Sequence, residues 1–251
     1  MKKILIDKEV YINYYNMGLS DLSISKLMGI SNNVLSKFRT KLGLRPNYSQ
    51  LKPRQYDKIN IDSTMHSILI GTLLGDGNLE LSVKAKAKNA RLRFGHCIEQ
   101  SQYLTYKVRL LPSLWKMSIR TTHRKCEISS ISHPILTTYF DRFYQDGIKI
   151  IPKDIGDDIT AVSLAILFMD DGSYDKSTNS FYISLCGFTH EDNLLFIKVL
   201  YTVFGIEATI CNKGKIGHKY MHIYIKACSR ELFKNLIEPY MEDSMLYKLG
   251  K

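Results

Sequence analysis

No CxxC pair occurs among the five cysteines, Cys97, Cys126, Cys186, Cys211 and Cys228, which are far apart and odd in number. Neither a disulfide framework nor a zinc site follows from them. Long apolar runs are also missing: none approaches the ~20 residues that span a bilayer. No secretory leader is visible, because Met1-Lys2-Lys3-Ile4-Leu5-Ile6 meets Asp7 before an apolar segment can form. The expected setting is an intracellular, reducing one, cytoplasm or organelle matrix, with no membrane partner.

Acidic residues are scarce at the front of the chain. Residues 1–60 hold 4 acidic against 11 basic residues, residues 61–151 hold 7 against 13, and residues 152–251 hold 13 against 11. The 251-residue chain carries a net charge of +11, so the surplus sits in its first 151 residues. Such an uneven surplus points to a polyanion, with nucleic acid ahead of an anionic membrane. The 45% hydrophobic content suits a globular protein with a real core.

What is present, twice, is an apolar run that stops at Asp-Gly. The first is Leu69-Ile70-Gly71-Thr72-Leu73-Leu74-Gly75-Asp76-Gly77, the second Leu164-Ala165-Ile166-Leu167-Phe168-Met169-Asp170-Asp171-Gly172. Both read as buried helices, apolar nearly all round, with Gly77 and Gly172 as helix-ending residues. An aspartate in the last turn faces the negative end of the helix dipole and unsatisfied carbonyls, at a cost of roughly 0.3–1 kcal/mol. Taken singly, each run reads better as a core helix ended by an Asp-Gly turn. As a pair, side by side, Asp76 and Asp171 with the helix-end carbonyls would form a hard, anionic oxygen cluster of the kind Mg²⁺ prefers. Gly71, Gly75 and Ala165 would allow close backbone approach. The repeat extends further: Lys149 follows Asp76 by 73 residues and Lys248 follows Asp171 by 77, in the settings Gly-Ile-Lys-Ile-Ile and Leu-Tyr-Lys-Leu.

These residues resemble the paired motifs of LAGLIDADG homing endonucleases, most of all the single-chain, intron-encoded type with two motifs. Phe168-Met169-Asp170-Asp171-Gly172 is the more specific motif, and Ile151-Pro152 and Met245-Leu246-Tyr247-Lys248-Leu249 also resemble that subclass. The resemblance covers roughly residues 62–251. It implies an α+β fold of two pseudo-symmetric αββαββα-like units, 62–151 and 152–251, whose sheets form a saddle over duplex DNA. It also implies a monomer that hydrolyses one phosphodiester in each strand of a long asymmetric site. Asp76 and Asp171, helped by the carbonyls of Gly75 and Asp170, would hold Mg²⁺ or Mn²⁺. Lys149 and Lys248 would stand by the scissile phosphates. Because Gly75 precedes one aspartate and Asp170 the other, unequal rates on the two strands are expected. Cys186 departs from the subclass, where a polar residue such as Gln is usual at that strand position; this bears on one DNA contact, not on the metal site.

Residues 1–45 read as a separate all-α, helix-turn-helix-like domain, with helices over 7–17, 21–28 and 32–42. Val10, Ile12, Tyr14 and Tyr15 are expected in its core. Gly29 sits at the turn, Ser25 is small where helices cross, and Ser31 fits an N-cap. The third helix then presents Asn32, Asn33, Ser36, Lys37, Thr40 and Lys41, with Arg39 nearby, residue types that reach base edges and phosphates. A plain three-helix cap is the alternative. Residues 46–61, polar, basic and broken by Pro46 and Pro53, read as a linker.

Within the two units, strands are expected over 78–83, 91–94, 119–130, 181–186 and either side of 212–219. Helices are expected over 103–115, 134–144, 190–204 and 230–241, and a polar tip over 174–180. The basic residues Lys84, Lys86, Lys88, Arg91, Arg93, Arg120, His123, Arg124, Lys125, Lys176, Lys213, Lys215, His218 and Lys219 lie on or beside these strands and turns. An antiparallel sheet can leave one face to a ligand, and a two-stranded ribbon fits the major groove. Two rival functions stand beside cleavage: an RNA maturase that assists folding of its own intron, and a DNA-binding transcriptional regulator that does not cut.

Overall fold

Most of the described helices begin where a polar side chain accepts from free backbone N–H groups. The computed structural model describes residues 6–44, 47, 58–81, 89–115, 119–213 and 220–251, without the side chains of residues 213 and 220. The chain forms two compact units, residues 1–57 and 58–251.

In the first unit, α1 (Lys8–Asn16) starts under Asp7, whose side chain accepts from the Glu9 and Val10 amides. Ser20 caps α2 (Asp21–Met28) through the Ser23 amide. Gly29, at φ +65, takes the left-handed conformation that turns the chain toward α3 (Asn32–Lys41). Ser31 occupies the cap position of α3 but makes no side-chain cap bond. The core is Tyr11, Tyr15, Ile24 and Leu35. Two sequence expectations change. Val10 is 39% exposed, and Tyr11 takes the inner place because 11 and 15 share a helical face. Arg39 points inward, where its Nε donates to Asp21 Oδ2 at 2.8 Å while Tyr11 donates to Oδ1 at 2.6 Å.

The second unit repeats one pattern. Its first half runs α4 (Ser63–Leu74), β1 (Asn78–Glu80), β2 (Arg91–Cys97), α5 (Ser101–Leu110), β3 (Arg120–Thr121), β4 (Lys125–Ser129) and α6 (Pro134–Phe143), followed by a small hairpin of β5 (Tyr144–Gln145) and β6 (Ile148–Lys149). The second half runs α7 (Ala161–Asp171), β7 (Gly172–Asp175), β8 (Ser180–Ile183), α8 (His190–Phe204), β9 (Ala208–Lys213), β10 (Tyr220–Ile225) and α9 (Arg230–Ile237). The sheets are antiparallel with orders β1-β2-β4-β3 and β7-β8-β10-β9, the same topology twice. The architecture is α+β. Strand β7 claims two residues of the expected polar tip, since Tyr174 and Asp175 pair with Phe181 and Ser180. Strand β8 stops at Ile183, although the Ser184 amide still donates to the Asp171 carbonyl at 2.9 Å in the register of the β7–β8 ladder. Cys186 therefore lies in a turn, not a strand.

The motif helices α4 and α7 pack against each other at the centre of the core. Asp62 caps α4, and a Thr160/Ser163 capping box starts α7. Their contact depends on glycine. A Cβ on Gly71 would lie 2.4 Å from the Ser163 carbonyl, and one on Gly75 would lie 2.6 Å from Asp170 Cβ. Gly71→Ala is therefore expected to destabilise the unit by about 2 kcal/mol or more, against ~1 kcal/mol gained in helix propensity. Thermal unfolding checks this. Gly172 ends its helix for a steric reason too: it is not left-handed, at φ −83, but a Cβ there would meet the Phe168 carbonyl at 2.3 Å, and one on Gly77 the Thr72 carbonyl at 2.5 Å. Among the described residues no helix is long and apolar enough to cross a membrane.

Candidate active site

The two helices deliver their aspartates differently. Asp171 is the last residue of α7, whereas α4 ends at Leu74 and Asp76 stands beyond it, past Gly75. The expectation that both sit in a last helical turn holds only for Asp171. Gly75 leaves the helical conformation at φ −95, ψ −134, and the Asp76 amide then donates to Asp170 Oδ2 at 3.2 Å rather than continuing the helix.

Both late lysines reach the helix ends. Lys149 Nζ donates to the carbonyls of Gly75 at 3.0 Å and Gly77 at 2.8 Å. Lys248 Nζ donates to the carbonyls of Met169 at 2.6 Å and Asp170 at 3.0 Å. One carbonyl is equivalent in the two halves, Gly75 and Asp170, and the second differs, Gly77 past its helix and Met169 within its own; positive charge is favoured at such helix ends. Burial brings Lys149 down to about 8 and also lowers Lys248, with the nearby aspartates opposing both shifts.

The carboxylates are crowded. Asp171 is pushed up to about 7 by burial and by repulsion from Asp76 and Asp170, which Lys149 and Lys248 offset only in part. Partial desolvation raises Asp76, but the hydrogen bond and charge of His96 and the charges of Lys107 and Lys248 prevail and hold it below the usual carboxylate range. Both aspartates act on Lys149 and on Lys248, so the halves share one site.

Two residues that sequence reasoning missed, Lys107 and His96, complete it, together with the side chain of Asp170, which the sequence suggested only for its carbonyl. Asp170 has a fully buried side chain that accepts from Lys107 Nζ at 2.8 and 3.0 Å and from Tyr103 Oη at 2.7 Å. Lys107 is itself fully buried, over the rings of Phe94 at 4.4 Å and Tyr103 at 5.0 Å. His96 places Nδ1 3.3 Å from Asp76 Oδ2 and Nε2 3.9 Å from Asp170 Oδ1. Ligand-type atoms of Asp76, His96 and Asp170 lie within 4.8 Å of one another. The missed signals are positional. Lys107 falls on the buried stripe of α5 with Tyr103 and Leu104, and His96 falls on the inward register of β2 with Leu92 and Phe94.

The remaining candidates are spread over two regions. On the exposed sheet face, Arg91 pairs with Glu80 at 2.8 Å, and Arg93 pairs with Glu80 at 3.4 Å and Glu127 at 3.0 Å. Arg120 and Lys125 also reach Glu127, at 3.6 and 3.2 Å. His123, Arg124 and Lys176 are exposed. In the first unit Asn32, Asn33, Lys37 and Thr40 are exposed along α3 and Ser36 is half-buried. Lys84, Lys86, Lys88, Lys215, His218 and Lys219 lie outside the described residues, as does the side chain of Lys213.

A family model described as the LAGLIDADG DNA endonuclease family matches residues 66–233, two thirds of the chain. The chain belongs to that family. It is 25% identical over 216 residues to DNA endonuclease I-ChuI of Chlamydomonas applanata, covering 76% of this chain and 97% of the relative. It is also 26% identical over 202 residues to cytochrome b mRNA maturase bI2 of Debaryomyces hansenii, covering 76% and 75%. Several longer curated relatives are matched over about half of their length. Among solved structures, this LAGLIDADG chain shares its fold with the homing endonuclease I-WcaI bound to its DNA recognition sequence. The TM-score is 0.66 at 24% identity, over 80% of this chain and 96% of that one.

Proposed function

We propose that this chain is a metal-dependent, site-specific endonuclease that hydrolyses one phosphodiester in each strand of duplex DNA. The observation that carries it is that Asp76, just past one motif helix, and Asp171, at the end of the other, lie near enough to repel each other, with one lysine from each half on the adjoining carbonyls. The donor set fits a hard divalent cation such as Mg²⁺ or Mn²⁺: the Asp171 anion is crowded by two other carboxylates, a repulsion that a cation held by Asp76 and Asp171 relieves. Such an ion lowers the pKa of an attacking water and stabilises charge on the phosphate and the leaving oxygen. The carbonyls of Gly75 and Asp170 flank that position.

Lys149 and Lys248 hold fixed positive charge where a phosphate would gain negative charge. Lys149→Met or Lys248→Met is expected to slow cutting on the order of 100-fold, with little change in duplex affinity. Single-turnover rates beside gel-shift titrations check it.

The two sheets supply a saddle for the duplex, with Arg91, Arg93, Arg120, Arg124 and Lys125 on the first. Phosphate contacts position and base contacts specify. The helix of Asn32, Asn33, Ser36, Lys37 and Thr40 adds a second reader that lengthens the target and adds avidity.

A maturase role is the second reading, favoured by the likeness to bI2. Incubating the full chain with Mg²⁺ and a pool of long duplexes, then sequencing the ends, separates the readings. Breaks at a single long site support the endonuclease. Footprints without breaks support a non-cutting regulator. Neither breaks nor footprints, together with binding to its own intron RNA, supports the maturase.

A further inference from the structure

We propose that His96 is a positioning residue that holds the Asp76 carboxylate, so that cutting by the first half can be slowed without slowing the second. The inference rests on the endonuclease reading above and concerns how one half of that site is built.

The duplicated fold supplies its own control. Arg93 pairs with Asn78, two residues after Asp76, and Tyr182 pairs with Ser173, two residues after Asp171. Arg93 and Tyr182 are therefore equivalent, and three residues further on His96 corresponds to Leu185. Both are buried. The second half fills this slot with an apolar side chain, as packing alone would favour. The first half fills it with an imidazole whose Nε2 is buried without a hydrogen-bond partner. An unpaired buried nitrogen is costly, so His96 is the poorer choice for stability and needs another reason to be there.

Asp76 supplies that reason. Asp171 is held by the helix of which it is the last residue, whereas Asp76 stands after the helix has ended and its side chain is 39% exposed. Something outside the helix must fix its carboxylate, and His96 Nδ1 stands 3.3 Å from Oδ2. The imidazole is itself boxed in. The Tyr103 ring lies 4.9 Å away, and Asp170, locked by Lys107 and Tyr103, stands 3.9 Å from Nε2. A carboxylate contributed by the second motif thus sits behind the histidine that orients the first.

The test uses His96→Leu, which copies the second half, and His96→Gln, which keeps a polar group, in the full chain. A supercoiled plasmid carrying the target is cut in Mg²⁺ with strand-resolved rates, beside calorimetric Ca²⁺ titration and thermal unfolding of the free protein. The expected result for His96→Leu is a 10–100-fold loss on the Asp76-dependent strand only, build-up of nicked circle, weaker Ca²⁺ binding and no loss of thermal stability. Partial recovery of the slowed strand is expected with His96→Gln. Equal slowing of both strands with a lower unfolding temperature would overturn the proposal in favour of a packing role. Unchanged rates and Ca²⁺ affinity would also overturn it. Failure of the endonuclease reading looks different: the parent protein makes no break, or breaks persist when both Asp76 and Asp171 are asparagine.

Discussion

Asp76→Asn combined with Asp171→Asn is expected to abolish cleavage, a loss on the order of 10³-fold or more, while duplex binding persists. Asparagine keeps the shape and one acceptor oxygen of each side chain and removes the charge that holds a cation. The single variants are expected to cut one strand and spare the other, turning double-strand breaks into nicks. Stability should move the opposite way. Asp171 is raised to about 7 by burial and by the neighbouring carboxylates. Its ionised form is therefore a liability in the metal-free fold, relieved as pH falls from about 7 toward the ordinary carboxylate range. Asp171→Asn removes that liability, so the metal-free protein should unfold at a higher temperature at neutral pH while losing its activity. A rise in unfolding temperature coupled to lost cutting is the behaviour of a site that trades stability for function. A fall in both would mark Asp171 as a packing residue.

The largest stability effect is expected at Lys107. Its ammonium and the Asp170 carboxylate are both fully buried and 2.8 Å apart. Lys107→Met keeps the length of the side chain but leaves the carboxylate with the hydrogen bonds of Tyr103 and the Asp76 amide, and with His96 at 3.9 Å. Removing one partner of a buried pair costs about 3–5 kcal/mol, because the other charge stays behind uncompensated. For a unit of this size that is a fall of roughly 10 °C in unfolding temperature. Adding Asp170→Asn to Lys107→Met should restore much of the loss, since no unpaired charge then remains. If the single variant melts like the parent, the pair is not a structural lock. If the double variant is no better than the single, the cost lies in packing around Phe94 and Tyr103.

Much of the fold was legible because its signals are local and repeated. The two apolar runs, the late lysines and helices such as 190–204 follow from periodicity and capping residues along the chain. The family resemblance set them in a two-unit frame. The site was legible only in part. Asp76, Asp171, Lys149 and Lys248 occupy repeated positions, which drew attention to them. Lys107 and His96 have no counterpart in the second half, so no repeat marks them. A lysine on an apolar helix stripe reads as a flaw until the partner, Asp170, is known from 63 residues away. Glycine was legible in part. Gly172 does end its helix, whereas α4 is capped by Gly75, two residues before Gly77; the space that Gly77 and Gly172 provide against Thr72 and Phe168 belongs to the packed chain.

The most direct measurement is an anomalous difference map from crystals of the full chain with its target duplex and Mn²⁺. A peak touching the carboxylates of both Asp76 and Asp171 is the predicted result. Cleaved DNA in the crystal with Mn²⁺ bound elsewhere, or with no peak at those two aspartates, would contradict it.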